Sequence, residues 1–496
     1  MEKPTVTLDG ESLSIPDMIL ITRDNCAVEI APKSVPRIER AANIVQTVLR
    51  QNRRIYGVTT GFGHLQEVQV SPDNVVQLQE NLVLSHSAGV GLELPSEVVR
   101  GMMVLQINKL VRGHSGVQLE VVELLVDLLN HNIVPVVPSQ GSLGASGDLA
   151  PLAHLSQVLI GKGWVDFGGQ RITGGAALKK VGLASLRLGA KDGLALLNGT
   201  QAMTAIAALA IADAKYLVRI ANLVTAMSME VHRANIDALN PLIHQARPHR
   251  GQIDVAKELL DILDGSKSVR DHIPHQDPYS LRCVPAVHGA ILDAVRYAEN
   301  VVEVEMNSST DNPLIFSVDQ IYSGGNFHGH PVAIVMDFLG LAMTGIGTIS
   351  ERRVERLLNP SLSGLPAFLA PAAGPNSGLM IAQYTSASLV AENNHLASPA
   401  SVDSIPVSAN QEDFVSMGTS AASKTRIIIQ NLHNILAIEL LCAAQAIDLA
   451  QIKDFLAPKT KKAFSTIREV VSSLTHDREL APDISQCVRL IQDRKL

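Results

Sequence analysis

The sequence predicts a mainly α-helical fold in which long, packed helices form a central bundle. Hydrophobic residues make up 46% of the chain but aromatic residues only 3%, so the core must consist largely of Ala, Leu, Ile and Val. This composition favours helices over a β-sandwich or barrel, whose strands usually carry more aromatic and β-branched side chains. Apolar stripes with the helical period, such as residues 429, 432, 436, 440 and 443, point to the same architecture.

The first part of the chain contains short elements and loops. Residues 5–8 read as a strand, and Val75, Leu78 and Leu82 follow the helical period until Gly89. A loop rich in Gly, Pro and Ser occupies residues 135–148 and precedes a new helix. The glycine-rich stretch at about 165–190 predicts a short hairpin or excursion.

After about residue 200 the sequence changes to long, Ala-rich helical patterns. One runs from about residue 331 to 358 and ends at Asn359 and Pro360. Another carries the stripe at 429–443 and extends for about six turns. We therefore expect two domains: a smaller N-terminal domain at 1–200 and a long-helix bundle domain at 201–496.

Charge and cysteine usage exclude several classes of function. The net charge is −7, with 41 basic and 48 acidic residues spread along the chain, so neither nucleic acid nor an anionic membrane is expected as a partner. The four cysteines lie far apart without a CxxC pair, which argues against a disulfide framework and a zinc site. No signal-peptide hydrophobic region precedes the first elements, and the apolar residues 202–212 are too few for a bilayer span of roughly 20 residues. We expect a cytoplasmic location.

The loop at residues 141–152 reads GSLGASGDLAPL and carries the main chemical signal. A glycine-rich turn before a helix can be purely structural or can bind an anion. This loop lacks the GK[ST] of a P-loop and the GxGxxG that follows a strand in dinucleotide-binding folds. On glycine spacing alone, a structural turn explains it as well as any function.

The tripeptide Ala145-Ser146-Gly147 supports a sharper hypothesis. If the amide nitrogen of Gly147 attacks the carbonyl carbon of Ala145, a five-membered ring closes, and glycine best tolerates such a contorted turn. Loss of water from this ring and from the Ser146 hydroxyl leaves a methylidene group conjugated to a carbonyl. The chain would thereby build a strong electrophile from its own residues.

With this tripeptide, with YGVTTGFG at residues 56–63 and with further motifs in order, the chain resembles the histidine and aromatic amino-acid ammonia-lyases over nearly its whole length. The resemblance implies their fold, in which the smaller N-terminal domain is the active-site domain and the bundle domain completes the active site, and a homotetramer with shared active sites. It also implies their cofactor 4-methylideneimidazole-5-one (MIO), formed from Ala145, Ser146 and Gly147 with help from Asp148. Such an electrophile is needed because the substrate β-proton is very weakly acidic. A general base alone increases the reaction rate only by roughly 10²–10⁴-fold.

The resemblance also implies roles for residues outside the loop. Tyr56 is the base that removes the β-proton, and Tyr279 is a second active-site tyrosine near the ring and the substrate amine. Arg282, in the motif at 276–283, can hold the substrate carboxylate in a bidentate fork. Asn198 hydrogen-bonds near the ring and the carboxylate, and Phe327 packs against the ring. Without the motifs, a buried structural tyrosine and an ion-paired arginine would be the commoner interpretations.

Three polar residues point to the substrate. Relatives that act on phenylalanine or tyrosine carry Phe-Leu or His-Leu at the position of Ser85 and His86, and glutamine at that of Glu412. A phenyl ring buried against Ser85, His86 and Glu412 would leave their polar groups without hydrogen bonds, at a cost of about 1–3 kcal/mol each. An imidazole can pair with both Glu412 and His86. We therefore expect L-histidine as the substrate and trans-urocanate as the product.

Two departures from the family pattern keep alternatives open. Phe414 and Gln140 stand where many histidine lyases carry histidine and lysine, so a lyase for a histidine betaine, a tyrosine ammonia-lyase or a tyrosine 2,3-aminomutase are alternatives. A helical scaffold without chemistry is the alternative from another class, and the intact motif residues argue against it. His328 and His330 have the spacing of metal ligands, but no third ligand accompanies them and no metal is expected.

Overall fold

A computed structural model describes residues 4–71, 74–271, 276–372 and 374–496, and its helices confirm the mainly α prediction. The α-helices within these ranges are α1 (Ile15–Thr22), α2 (Val35–Arg50), α3 (Val75–His86), α4 (Ser96–Leu110), α5 (Leu119–Asn130), α6 (Leu149–Ser156), α7 (Gly174–Lys180), α8 (Asp192–Leu197), α9 (Gln201–Val231), α10 (Pro241–Ala246), α11 (Arg250–Leu263), α12 (Tyr279–Arg282), α13 (Val284–Met306), α14 (His330–Leu358), α15 (Pro360–Ser363), α16 (Met380–Leu396), α17 (Gly418–Ala450), α18 (Pro458–Val470) and α19 (Ala481–Gln492).

The strands are short and form small, separate sheets. They are β1 (Thr5–Leu8), β2 (Ala27–Ile30), β3 (Val90–Glu93), β4 (Val134–Pro135), β5 (Pro138–Gln140), β6 (Trp164–Phe167), β7 (Gln170–Thr173), β8 (Leu314–Ser317) and β9 (Gln320–Tyr322). β1 and β2 pair in parallel, whereas β3–β5, β4–β6–β7 and β8–β9 are antiparallel. None of them forms a sheet large enough to make a core of its own.

The chain divides into two compact units, neither of which is continuous in sequence. The first comprises the described residues of Met1–Ala212, Ala298–Asp337 and Pro399–Ser423, and the second those of Asp213–Tyr297, Phe338–Ser398 and Lys424–Leu496. This grouping differs from the expected domains 1–200 and 201–496. The reason is that two later segments pack with the first unit, and that division points fall inside the long helices α9, α13, α14 and α17.

In the first unit, a hydrophobic cluster fixes the loop that carries Tyr56. Ile44 and Val48 of α2 pack with Val58 and with Val75, the first residue of α3. Burying an aliphatic side chain of this size stabilises the fold by about 1.5–3 kcal/mol. The cluster therefore places the loop after α2 beside the start of α3.

In the second unit, the core forms around α9 and α11 and includes Leu281 of the short helix α12. A fully buried ion pair joins Arg353 Nε to Glu439 Oε1 at 2.6 Å, and the Ser228 and Ser350 hydroxyls donate to the same carboxylate. The ion pair and the two hydroxyl hydrogen bonds offset much of the desolvation penalty of burying these charges between the helices.

Several local predictions are confirmed. β1 lies at residues 5–8, α3 begins at Val75, α6 begins at Leu149 directly after the glycine-rich loop, and β6 and β7 form the expected hairpin. The stripe at 429–443 lies on α17, whose 33 residues make it longer than the six turns expected. The pairing of β3 with β5 and the hairpin β8–β9 were not predicted.

Within the part of the chain that the structure describes, two helices have the length and composition of a membrane span, and neither lies at residues 202–212. They are α14 and α17, and 56% and 78% of their most apolar windows are buried inside the protein. Core helices of soluble proteins satisfy the same criterion, so these two helices are weak evidence for membrane insertion.

Candidate active site

A cavity of about 670 Å³ lies in the first unit, and all the residues that line it belong to that unit. Such a volume suits a small-molecule ligand. The cavity brings together seven of the residues predicted from sequence, which come from separate parts of the chain: Tyr56, Ser85, His86, Ser146, Asn198, Phe327 and Glu412.

The backbone of the Ala-Ser-Gly tripeptide lies against Gly199. Gly147 has φ +75° and forms an isolated parallel bridge with Gly199, whose carbonyl oxygen accepts the N–H of Asp148 at 2.7 Å. A Cβ at residue 147 would lie 2.1 Å from that same oxygen. Ala145 is buried beside Val415. Only glycine can occupy position 147 without displacing the neighbouring backbone.

The carboxylate of Asp148 joins three distant segments. It is fully buried and accepts hydrogen bonds from Ser142 Oγ at 2.8 Å, Thr419 Oγ1 at 2.5 Å and the backbone N–H of Met203 at 2.8 Å. Burial raises the pKa of this carboxyl group, and the hydrogen bonds oppose that effect. Asp148 thus fixes the end of the tripeptide loop relative to the starts of α9 and α17.

The hydroxyl of Tyr56 lies in a partly buried position at the cavity. It accepts a hydrogen bond from the N–H of Gly63 at 3.0 Å, and its ring makes an edge-to-face contact with Phe62 at 6.4 Å between centroids. Burial raises the pKa of Tyr56, the Gly63 hydrogen bond lowers it, and the negative charge of Glu412 raises it. At neutral pH the phenol is therefore the major species and the phenolate a minor one.

Polar groups from three segments meet on one side of the cavity. Ser146 Oγ donates to Glu412 Oε1 at 3.0 Å, and Ser85 Oγ lies 3.1 Å from Nδ1 of His86. Burial lowers the pKa of His86, so its imidazole is neutral at neutral pH despite the nearby carboxylate. This wall presents a carboxylate acceptor and a neutral imidazole to a ligand.

The nitrogen and the oxygen of the Asn198 side-chain amide differ in their hydrogen bonding. Its Nδ2 donates to the carbonyl of Asn312 at 3.1 Å and to Asp311 Oδ1 at 3.4 Å. Its Oδ1 is buried, and within the described parts of the chain it has no hydrogen-bond partner. A buried acceptor without a partner is costly, and a donor on a bound group would satisfy it.

The cavity also contains residues that the sequence analysis did not single out. Phe62 lies inside the motif at 56–63, and Gln411 is the neighbour of Glu412 in the sequence. Asn81 comes from α3, one turn before Ser85. The helical spacing of Asn81 and Ser85 was the available signal for this residue.

Two predicted residues, Tyr279 and Arg282, belong to the second unit. The Arg282 guanidinium lies 4.8 Å from the centroid of the Tyr279 ring, and its Nε donates to the carbonyl of Asp277 at 2.8 Å. Tyr279 is 70% exposed. Both side chains are thus held in one local arrangement on α12.

His328 and His330 pack with Phe414, one of the departures from the family pattern. The rings of His328 and Phe414 stack at 5.9 Å between centroids, and His330 meets Phe414 edge-on at 5.7 Å. Among the residues placed by the structure, no three His, Cys, Asp or Glu side chains form a group that could hold a metal ion.

Residues 13–469 match the family model described as aromatic amino acid lyase. The chain belongs to the aromatic amino acid lyase family. A histidine ammonia-lyase from Caldanaerobacter subterraneus subsp. tengcongensis is 48% identical to it over 495 residues, covering 99% of this chain and 97% of that protein. The family assignment and the prediction of a lyase are thereby confirmed.

Solved structures of this lyase family share the fold. The crystal structure of histidine ammonia-lyase from Trypanosoma cruzi has a TM-score of 0.92 and 40% identity, covering 99% of this chain and 94% of that one. The crystal structure of tyrosine aminomutase from Streptomyces globisporus has a TM-score of 0.96 and 36% identity, covering 99% and 97%. The fold is therefore shared by proteins that differ in substrate and in outcome.

Proposed function

We propose that this lyase eliminates ammonia from L-histidine and releases trans-urocanate. The observation that carries the proposal is the polar wall of the cavity, where Glu412 and a neutral His86 lie near Ser146. Glu412 can accept from one ring nitrogen of the substrate, and His86 can pair with the other. The name of the relative that is 48% identical supports the same substrate.

We also propose that Ala145, Ser146 and Gly147 form the MIO group. The Gly147 nitrogen bonds to the Ala145 carbonyl carbon, and two water molecules leave, one from the new ring and one from the Ser146 side chain. The left-handed backbone of Gly147, its contact with Gly199 and the unpartnered Oδ1 of Asn198 all fit such a group. Once formed, the ring supplies an electrophile for the substrate amine.

The chain's own residues hold the substrate and move its proton. Tyr56 removes the β-proton as phenolate, and the N–H of Gly63 stabilises the charge on its oxygen. By resemblance to the family, we assign Arg282 to binding the substrate carboxylate through a bidentate fork and Tyr279 to the substrate amine. Phe327 and Asn198 both line the cavity and would hold the ring, Phe327 by packing and the Asn198 amide by a hydrogen bond.

The proposal includes a cytoplasmic homotetramer without a metal ion. In its support, α14 exposes apolar side chains at helical spacing, with Ile334, Phe338 and Leu341 each 45–55% exposed. Exposed apolar faces of this kind usually pack against another chain. Light scattering coupled to size-exclusion chromatography tests the tetramer, and a monomer at micromolar concentration contradicts it.

The deciding experiment incubates the purified protein with L-histidine and measures urocanate and ammonia. Parallel reactions with phenylalanine, tyrosine and a histidine betaine test the other substrates, and analysis for β-amino acids tests the aminomutase outcome. Urocanate as the major product supports the proposal. Faster turnover of another amino acid, or a β-amino acid product, contradicts it.

Ser146→Ala is the matched variant for the cofactor. Without the serine hydroxyl no methylidene can form, so this variant should lose turnover completely while retaining its fold. Intact-protein mass spectrometry should show the loss of two waters in the unaltered chain. Normal activity in Ser146→Ala, or an unaltered chain that keeps both waters, contradicts MIO formation.

A further inference from the structure

Helix α4 carries a lysine that is buried beneath the active-site loop. Lys109 is 1% exposed, and its Nζ donates to the carbonyl oxygens of Ala195 at 2.7 Å and Asn198 at 2.9 Å. A second buried lysine, Lys191, forms the nearby ion pair with Asp311 at 2.8 Å. One carboxylate thus lies near two buried ammonium groups.

This arrangement is expensive for folding stability. Burial lowers the pKa of Lys109 to about 7, although the charge of Asp311 opposes this. The two carbonyls lie at the C-terminal end of α8, where the helix dipole favours a cation, and they offset part of the penalty. An apolar side chain of similar size would avoid the cost, so the lysine does not serve stability alone.

The contacts of Lys109 continue directly to the tripeptide. Asn198 lines the cavity, and the next residue, Gly199, accepts the N–H of Asp148 at 2.7 Å. Gly199 N–H in turn donates to the carbonyl of Ser146 at 3.4 Å. Lys109 is therefore linked to the tripeptide through two adjacent residues. It donates a hydrogen bond to Asn198, and Gly199 is hydrogen-bonded to Ser146.

We propose that Lys109 is a positioning residue for MIO formation and turnover. It holds the carbonyl of Asn198, and through it sets Gly199 against Ser146 and Gly147 and fixes the Asn198 amide in the cavity. This inference rests on the proposed function, because it concerns closure of the same ring. A displacement of about 1 Å at reacting groups can lower a rate by about 100-fold.

The test compares Lys109→Met with Gln106→Met. Gln106 lies one turn earlier on α4, is fully buried, and donates to the carbonyls of Ala195 and Leu196 at 3.1 and 3.3 Å but not to Asn198. Both variants lose a polar contact to the end of α8, and only Lys109→Met loses the contact to Asn198. The control therefore separates general support of α8 from positioning of Asn198.

Three measurements are made on each purified full-length protein: the fraction of chains that have lost two waters, followed over time by mass spectrometry; kcat and KM with L-histidine; and the free energy of unfolding. Lys109→Met should lose water and turn over roughly 10- to 100-fold more slowly. Its unfolding free energy should be unchanged or higher, because a buried cation is removed. Gln106→Met should mature and turn over like the unaltered chain.

The inference is overturned if Lys109→Met loses water and turns over as fast as the unaltered chain. It is also overturned if Gln106→Met is slowed in both measurements as much as Lys109→Met. If Lys109→Met does not fold, Lys109→Gln, which retains an N–H donor on a shorter side chain, is judged by the same outcomes. Absence of water loss in the unaltered chain is a different result, because it overturns the proposed function itself.

Discussion

Replacing Gly147 with alanine tests the close approach between the tripeptide and Gly199. The new Cβ would lie 2.1 Å from the Gly199 oxygen and 2.4 Å from its carbonyl carbon, both backbone atoms that cannot rotate away. Relieving the contact to 3.0 Å requires a shift of about 0.9 Å in one of the two segments. A misplacement of about 1 Å can lower a rate by about 100-fold, so Gly147→Ala should slow both water loss and histidine turnover by at least that factor.

Gly182→Ala is the matched control. Gly182 has φ +77°, nearly the same as the +75° of Gly147, but a Cβ there meets nothing within 4 Å. Both variants carry the same left-handed strain, about 1–2 kcal/mol for a residue with a Cβ. The clash is present only at position 147.

The assay combines mass spectrometry for the two waters, urocanate formation and urea unfolding. Gly182→Ala should lose a little stability and keep full activity, whereas Gly147→Ala should lose activity even where it remains folded. Full water loss and normal turnover in Gly147→Ala would refute the reasoning. Equal loss of activity in Gly182→Ala would show that backbone strain, and not contact with Gly199, is the cause.

Four further outcomes are expected. Tyr56→Phe should lower kcat by roughly 10²–10⁴-fold with a measurable KM, since a general base contributes about that much. Because burial raises the pKa of Tyr56, kcat/KM of the unaltered chain should rise from neutral to alkaline pH, and a flat profile contradicts Tyr56 as the base. Glu412→Gln should weaken transition-state binding of L-histidine by about 1–3 kcal/mol, which lowers kcat/KM by about 5- to 150-fold. An unchanged kcat/KM removes the main reason for choosing histidine. Burial lowers the pKa of Lys109 from its ordinary value of 10.5 to about 7 in the folded protein, so the unfolded chain binds more protons between these two pH values. Urea titrations should therefore show stability rising with pH over this range by on the order of a few kcal/mol relative to Lys109→Met, and parallel pH profiles contradict this.

Features that depend on neighbouring residues could be predicted from the sequence. The helical spacing that begins at Val75, the glycine-rich loop and the start of α6 at Leu149 each depend on neighbouring residues, and the structure places them as expected. The seven predicted residues in the cavity were found through motifs whose order along the chain could be compared with a known family. These motifs did not depend on knowing the fold.

Features that depend on contacts between distant segments could not be predicted from the sequence. The approach of Gly147 to Gly199 and the contact of Lys109 with Asn198 join residues that no periodicity relates. The expected domain 201–496 includes residues 298–337 and 399–423, whereas the structure groups these segments with the first unit, and no local sequence signal marks a segment that packs with a distant part of the chain. Such contacts are set by tertiary packing.

The hydrogen bond between Asp148 and Thr419 also has a consequence for biosynthesis. These residues are 271 positions apart, so after Asp148 the ribosome must add more than half of the chain's residues before it reaches Thr419. A nascent chain that ends before Thr419 has the complete tripeptide but lacks one of the donors that fix Asp148. For the ring closure proposed above, we therefore expect the loop to mature only after the start of α17 has been made and has folded, so that a chain truncated before Thr419 keeps an unmodified tripeptide.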